Sequence, residues 1–133
     1  MSLERPFVTI PASEVDPQLR RLARLAGEIG AGCLGIPKVN LRWVLPEGAA
    51  RSPREGAARH VSPRNWSGWV YRDEPATFYV RADMPRHVMP TVLHELRHLA
   101  QHRDGDTTDE DDAEQWAQRV MHTPFYLWRS QLR

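Results

Sequence analysis

Two histidines four residues apart, with a glutamate beside the first, form the stretch best suited to chemistry: His94-Glu95-Leu96-Arg97-His98. A helix turns once every 3.6 residues, so side chains at i and i+4 rise one above the other on one face. Two imidazoles so placed can bind one divalent metal ion. Glu95 then points into the same site, where it can accept a proton from a metal-activated water. That chemistry is hydrolytic. Val92, Leu93, Leu96, Leu99 and Ala100 fall at helical spacing on the other side, so the segment can bury one face and present its histidines on the other.

A structural zinc site would fill four positions with protein groups, commonly Cys, and this chain has one distant Cys. Two His and one carboxylate would instead leave a position for water. A carboxylate beside a metal ligand on a partly buried helix is also unfavourable unless it is used, which favours a working role for Glu95.

Other elements must position this helix. Phe7-Val8-Thr9-Ile10 reads as a short edge strand. Ser13 or Asp16 can cap a helix with Pro17 in its first turn, and Leu19, Leu22, Ala23, Ala26 and Ile29 give it an apolar face. Gly30, Gly32 and Gly35 are expected to end it. Val39–Leu45 alternates as a strand and stops at Pro46. Residues 46–65, rich in Pro, Gly, Ala and Arg, read as a long, mobile loop. Residues 66–72 and 76–82 are aromatic and β-branched around Asp73-Glu74-Pro75, the signature of a hairpin. Pro90 suits the first turn of the histidine helix, which should end by Arg103, before Gly105. A second helix should begin near Thr107 or Thr108, bury Ala113, Trp116, Ala117, Val120 and Met121, and stop before Pro124. The apolar tail 125–128 is expected to dock on the body.

The chain has 133 residues, 41% hydrophobic and 26% charged, which predicts one domain, 1–133, and the strands and helices read above make it α+β. The start lacks the basic-then-apolar pattern of a secretory signal, no segment approaches membrane-spanning length, and the single Cys33 cannot form an internal disulfide. These features make the cytoplasm the expected compartment, with no membrane partner. Cys33 itself reads as a buried thiol. A net charge of +1 weighs against a nucleic-acid partner, although Arg51, Arg54, Arg59 and Arg64 make the 46–65 loop modestly basic.

Strands, a histidine helix and then a carboxylate-rich helix resemble the gluzincin group of zinc metallopeptidases, which pairs HExxH with a Glu on a following helix. Glu110-Asp111-Asp112-Ala113-Glu114-Gln115-Trp116-Ala117 is similar to the E-x-x-A-N-x-F-A form of the compact phage-repressor-cleaving (ImmA/IrrE-like) peptidases. The resemblance covers about residues 76–121. Arg97 stands where that family usually has a small residue, and Glu114 replaces its Asn or Asp.

The resemblance implies a small zincin-like domain with a short, mostly antiparallel sheet of three or four strands. It implies zinc (Zn2+) as cofactor, held by His94, His98 and Glu110, with Glu114 orienting a His ligand and Glu95 as general base. It implies a protein or peptide substrate lying along an edge strand, here Thr77–Ala82 with Phe78, Tyr79 and Val80. Tyr126, His122 and Tyr79 are candidates to assist the oxyanion.

The residues themselves leave the third ligand open. Thr107-Thr108-Asp109-Glu110 is also a capping box, in which Glu110 would serve the helix terminus. In that case Glu114 would be the ligand; a metzincin-like pattern would use Asp104. His102 is rotated off the metal face by about 40°. Competing functions are a binding module without catalysis, a nucleic-acid-associated protein using the Arg-rich loop, and a hydrolase of other amides.

Overall fold

In the computed structural model, residues 7–46 and 67–123 are described. The expectations for the 46–65 loop and the 125–128 tail, and for Tyr126, lie outside them. The described residues form an α+β fold: a four-stranded mixed sheet, β1-β2-β4-β3, and three α-helices.

Strand β1 (Phe7–Ile10) is an edge, paired antiparallel with β2 (Asn40–Pro46). Strands β3 (Gly68–Val70) and β4 (Thr77–Arg81) form the expected hairpin, with Trp69 opposite Tyr79. The sheet is mixed because β2 and β4 run parallel, Trp43 opposite Val80. Strand β4 is therefore internal, which corrects the expectation that Phe78, Tyr79 and Val80 offer an open edge. Their successive burial fits a strand covered on both faces. Phe78 and Val80 join the core under the helices, while Tyr79 packs with Phe7 and Val44 on the far side. There Tyr79 meets Phe7 and Tyr71 with ring centroids 5.2 and 5.6 Å apart, and its hydroxyl bonds Glu74.

Helix α1 (Pro17–Leu34) starts where Asp16 accepts the N–H of Gln18 at 2.7 Å and Pro17 needs no N–H partner. It runs through Gly30 and Gly32 and stops at Gly35, whose φ of 70° suits a residue without Cβ. Gly30 is instead a close-approach site: a Cβ there would stand 2.7 Å from Leu96 Cδ1. Cys33 is buried in the core, as expected.

Helix α2 (Val88–Arg103) is the central element, packed on α1, α3, β3 and β4. That is why its burial reaches beyond one apolar stripe to Thr91, Glu95, His98 and Gln101. Helix α3 (Glu110–His122) begins later than Thr107 or Thr108. Asp109 is its N-cap, its carboxylate accepting the Asp112 N–H at 2.9 Å. Thr108 serves elsewhere, its hydroxyl oxygen accepting from Arg72 at 3.3 Å and lying 3.1 Å from His102 Nε2. Glu110 is then the first helical residue, and its side chain is not spent on a capping box. Among the described residues, no helix is long and apolar enough to cross a membrane.

Candidate metal centre

Helix α2 presents His94 and His98 on its face toward α3, and the first turn of α3 brings Glu110 to them. His94 Nε2 and His98 Nε2 lie 2.7 and 3.0 Å from Glu110 Oε1 and 3.1 Å from one another. His94, His98 and Glu110 form a group that could hold a metal ion.

The outer nitrogens of both rings are engaged as well. His94 Nδ1 is 3.2 Å from Glu114 Oε2, and His98 Nδ1 is 2.8 Å from Gln101 Oε1. The Gln101 amide has one consistent orientation. Its nitrogen donates to the Asp109 carbonyl (3.0 Å) and Asp112 Oδ2 (2.9 Å), while its oxygen also accepts the Asp109 N–H (3.1 Å). His98 Nδ1 must therefore be the donor to Gln101, which leaves its Nε2 lone pair facing Glu110. Glu114 likewise draws a proton onto His94 Nδ1. Two lone pairs and a carboxylate oxygen then face one another at 2.7–3.1 Å, an arrangement that requires a positive charge among them. A proton or a metal cation satisfies it.

The electrostatics agree. Burial pulls the His94 pKa down, but hydrogen bonds to Glu110 and Glu114 and the nearby Glu95 and Glu110 charges win, and it is pushed up to about 9. His98 is raised through Glu110 and Gln101 against the same opposing burial. Glu110 is held far below the usual carboxylate range by hydrogen bonds to His94 and His98. The group also fits zinc: ligand atoms at 2.0–2.2 Å from a tetrahedral ion lie about 3.4 Å apart. Only a small opening is needed, and Glu110, with 71% of its side chain exposed, is free to make it.

Glu95 lies on the adjoining side, beneath β3. A Cβ added to Gly68 would stand 2.8 Å from Glu95 Cγ and 2.9 Å from its Oε2, so glycine is what lets the carboxyl lie there. Thr91 ties α2 to the residue just before that strand, donating to Ser67 Oγ at 2.7 Å. Burial raises the Glu95 pKa to about 7 although His94 and His98 pull it down. A base with that value exchanges protons readily near neutrality.

The remaining candidates lie outside this group. Asp104 is exposed and bonds Arg103, its Oδ1 2.9 Å from Arg103 Nε. His102 faces Thr108, and burial and Arg72 lower its pKa. Tyr79 lies on the far face of the sheet. His122 donates through Nδ1 to the Gln118 carbonyl at 2.7 Å, about 18 Å along α3 from Glu110. No protein-family model matches the chain, and no curated protein or solved structure is significantly similar to it.

Three features of this neighbourhood were missed in the sequence. Gln101 sits one helical turn after His98, a spacing that could have marked it. Arg97, set between the two His, reaches α3 with Nε 2.7 Å from Asp112 Oδ2 and Nη2 3.2 Å from Oδ1. Opposite charges on successive helices were the available signal. Arg72 donates to the Asp106 carbonyl at 3.0 Å and fastens the α2–α3 turn to the hairpin, which no local pattern announces.

Proposed function

We propose that the chain is a zinc-dependent peptidase, with His94, His98 and Glu110 as the ligands and Glu95 as the general base. The observation that carries this reading is the convergence of three acceptor atoms beside a buried carboxyl. A set of two His and one carboxylate matches catalytic zinc sites, in which the fourth position is open. When bound there, zinc lowers the pKa of a water to about 7 and polarises a carbonyl.

The protein's own groups supply the rest. Glu114 and Gln101 hold the two rings with their Nε2 atoms inward. Glu95, poised near neutrality, takes the proton of the attacking water and returns it to the departing amine. An extended peptide would pair with β3, which has β4 on one side and no partner on the other among the described residues. Because Gly68 lies against Glu95, a peptide bonded along β3 runs close to the base. Such pairing uses main-chain groups and sets little sequence preference.

Metal analysis of the purified protein should give about one equivalent of zinc. Glu95→Gln should keep that metal and lose hydrolysis of a mixed peptide substrate. Undiminished turnover by Glu95→Gln would end the general-base role, and protein that takes up no divalent metal would end the whole reading.

A further inference from the structure

Helix α1 leans on α2 at Gly30, where the backbone comes so close that a Cβ would meet Leu96 and Leu93 at 2.7 and 3.0 Å. Drawn to that side, α1 stands off from β2. A groove of about 790 Å³ opens between them, where Ile36, Val39 and Leu41 are half-buried and Trp43 and Phe78 lie buried beneath. It shares no residue with the metal centre.

Charge is distributed unevenly around this groove. Arg20, Arg21 and Arg24 line it from the first half of α1 and Lys38 from the loop after that helix, against Glu28 farther along the helix. Arg21 donates to Gln18 Oε1 at 2.7 Å. Arg20, Arg24 and Lys38 have no hydrogen-bonded or ion-paired side-chain partner among the described residues. Unpaired cations near one end of a groove and half-buried apolar side chains near the other suit a ligand that is itself part anionic and part apolar. Between them, Gly27 leaves open space where a side chain would otherwise project.

Length narrows the class. The lining residues of α1 run from Pro17 to Gly32, about 22 Å along the helix axis. An extended peptide of about seven residues covers that distance. Glu28 disfavours a uniformly charged phosphodiester strand, whereas a peptide can be acidic at one end and apolar along its body.

We infer that the groove between α1 and β2 binds an extended peptide segment of a partner protein, its acidic end held by Arg20 and Arg24 and its apolar side chains on Ile36, Val39 and Leu41. The inference stands apart from the peptidase reading, since no group of the metal centre takes part.

The test is selection of random dodecapeptides displayed on phage against the full chain, followed by anisotropy titrations of labelled winners. Two variants accompany it: Gly27→Leu, which fills the groove without meeting another atom, and the double variant Arg20→Glu/Arg24→Glu. Winners should carry Asp or Glu near one end with Leu, Ile or Phe beyond it, and bind more weakly as salt is raised. Each variant should lose at least tenfold in affinity while keeping the parent's melting temperature and zinc content. No enrichment, winners without acidic residues, or equal binding by either folded variant would overturn the inference. Displacement of the winning peptide by single-stranded DNA or by anionic vesicles at comparable concentration would also overturn it. A Gly27→Leu chain that fails to fold leaves the double variant to decide.

Discussion

Gln101 Oε1 accepts the Nδ1–H of His98 at 2.8 Å while the same amide grips both the N–H and the carbonyl of Asp109. One side chain thus sets the tautomer of a candidate ligand and the starting point of the helix that carries Glu110. Gln101→Leu removes both effects. His98 Nδ1 becomes a buried donor without a partner, at a cost of about 1–3 kcal/mol. Loss of such an orienting contact typically weakens metal binding about 10–100-fold. Competitive titration with a chromophoric chelator should show that drop, and nitrogen-detected NMR of the His98 ring should show mixed tautomers where the parent has one. Unchanged affinity and an unchanged ring spectrum would remove Gln101 from the site.

Glu110 and Glu114, one turn apart on α3, straddle His94: one faces Nε2 and the other Nδ1. Their roles differ accordingly. Glu110→Ala removes an atom of the converging group and should abolish stoichiometric zinc retention after gel filtration. Glu114→Gln keeps an acceptor for Nδ1 and should retain the metal with affinity lowered about tenfold. If Glu114→Gln releases the metal and Glu110→Ala keeps it, the two assignments are reversed.

The raised pKa of His94 makes stability and metal affinity respond to pH in opposite ways. In chelator-treated protein, the folded state binds the His94 proton more tightly than the unfolded chain does, about 9 against 6.5. That contribution is complete below pH 6.5 and is lost as pH rises through about 9. Glu95, raised from 4.5 to about 7, acts in the same direction at lower pH. Zinc must displace the His94 proton, so its affinity should rise between pH 6.5 and 8, by up to about tenfold per pH unit for each proton released. Melting scans across that window should show the chelated protein losing stability while the shift on adding zinc grows. A zinc-induced shift independent of pH would contradict the coupling.

Much of this was legible because local rules govern it. Asp16-Pro17 and Gly35 bound α1, the aromatic and β-branched runs around Asp73-Glu74-Pro75 fold as a hairpin, and His94 and His98 share a helical face as their spacing requires. What local rules do not contain is the strand partner. The parallel pairing of Asn40–Val44 with Thr77–Arg81 joins segments more than thirty residues apart, and it buries β4 instead of leaving it an edge. The choice between Glu110 as cap and Glu110 as ligand likewise depends on Gln101 holding Asp109 from another helix. Gly30 reads in sequence as a helix terminator, whereas its small size serves contact with Leu93 and Leu96.

Gly68 offers the sharpest test of how Glu95 is housed, because the register of β3 over α2 is invisible in the sequence. A Cβ there would stand 2.6 Å from Thr91 Cγ2, 2.8 Å from Glu95 Cγ and 2.9 Å from Glu95 Oε2. All three are too short, so Gly68→Ala must displace the strand or the Glu95 side chain. Overpacking of this kind costs about 1–3 kcal/mol. Activity on peptides should fall more steeply than stability, since the group displaced is the proposed base. Zinc content should hold, because His94, His98 and Glu110 are not among the atoms met. In a Glu95→Ala background two of the three contacts vanish, and the same substitution should destabilise less. Denaturant melts of the four chains in this cycle measure the coupling directly. Additive effects would mean that Glu95 does not rest against β3 in solution.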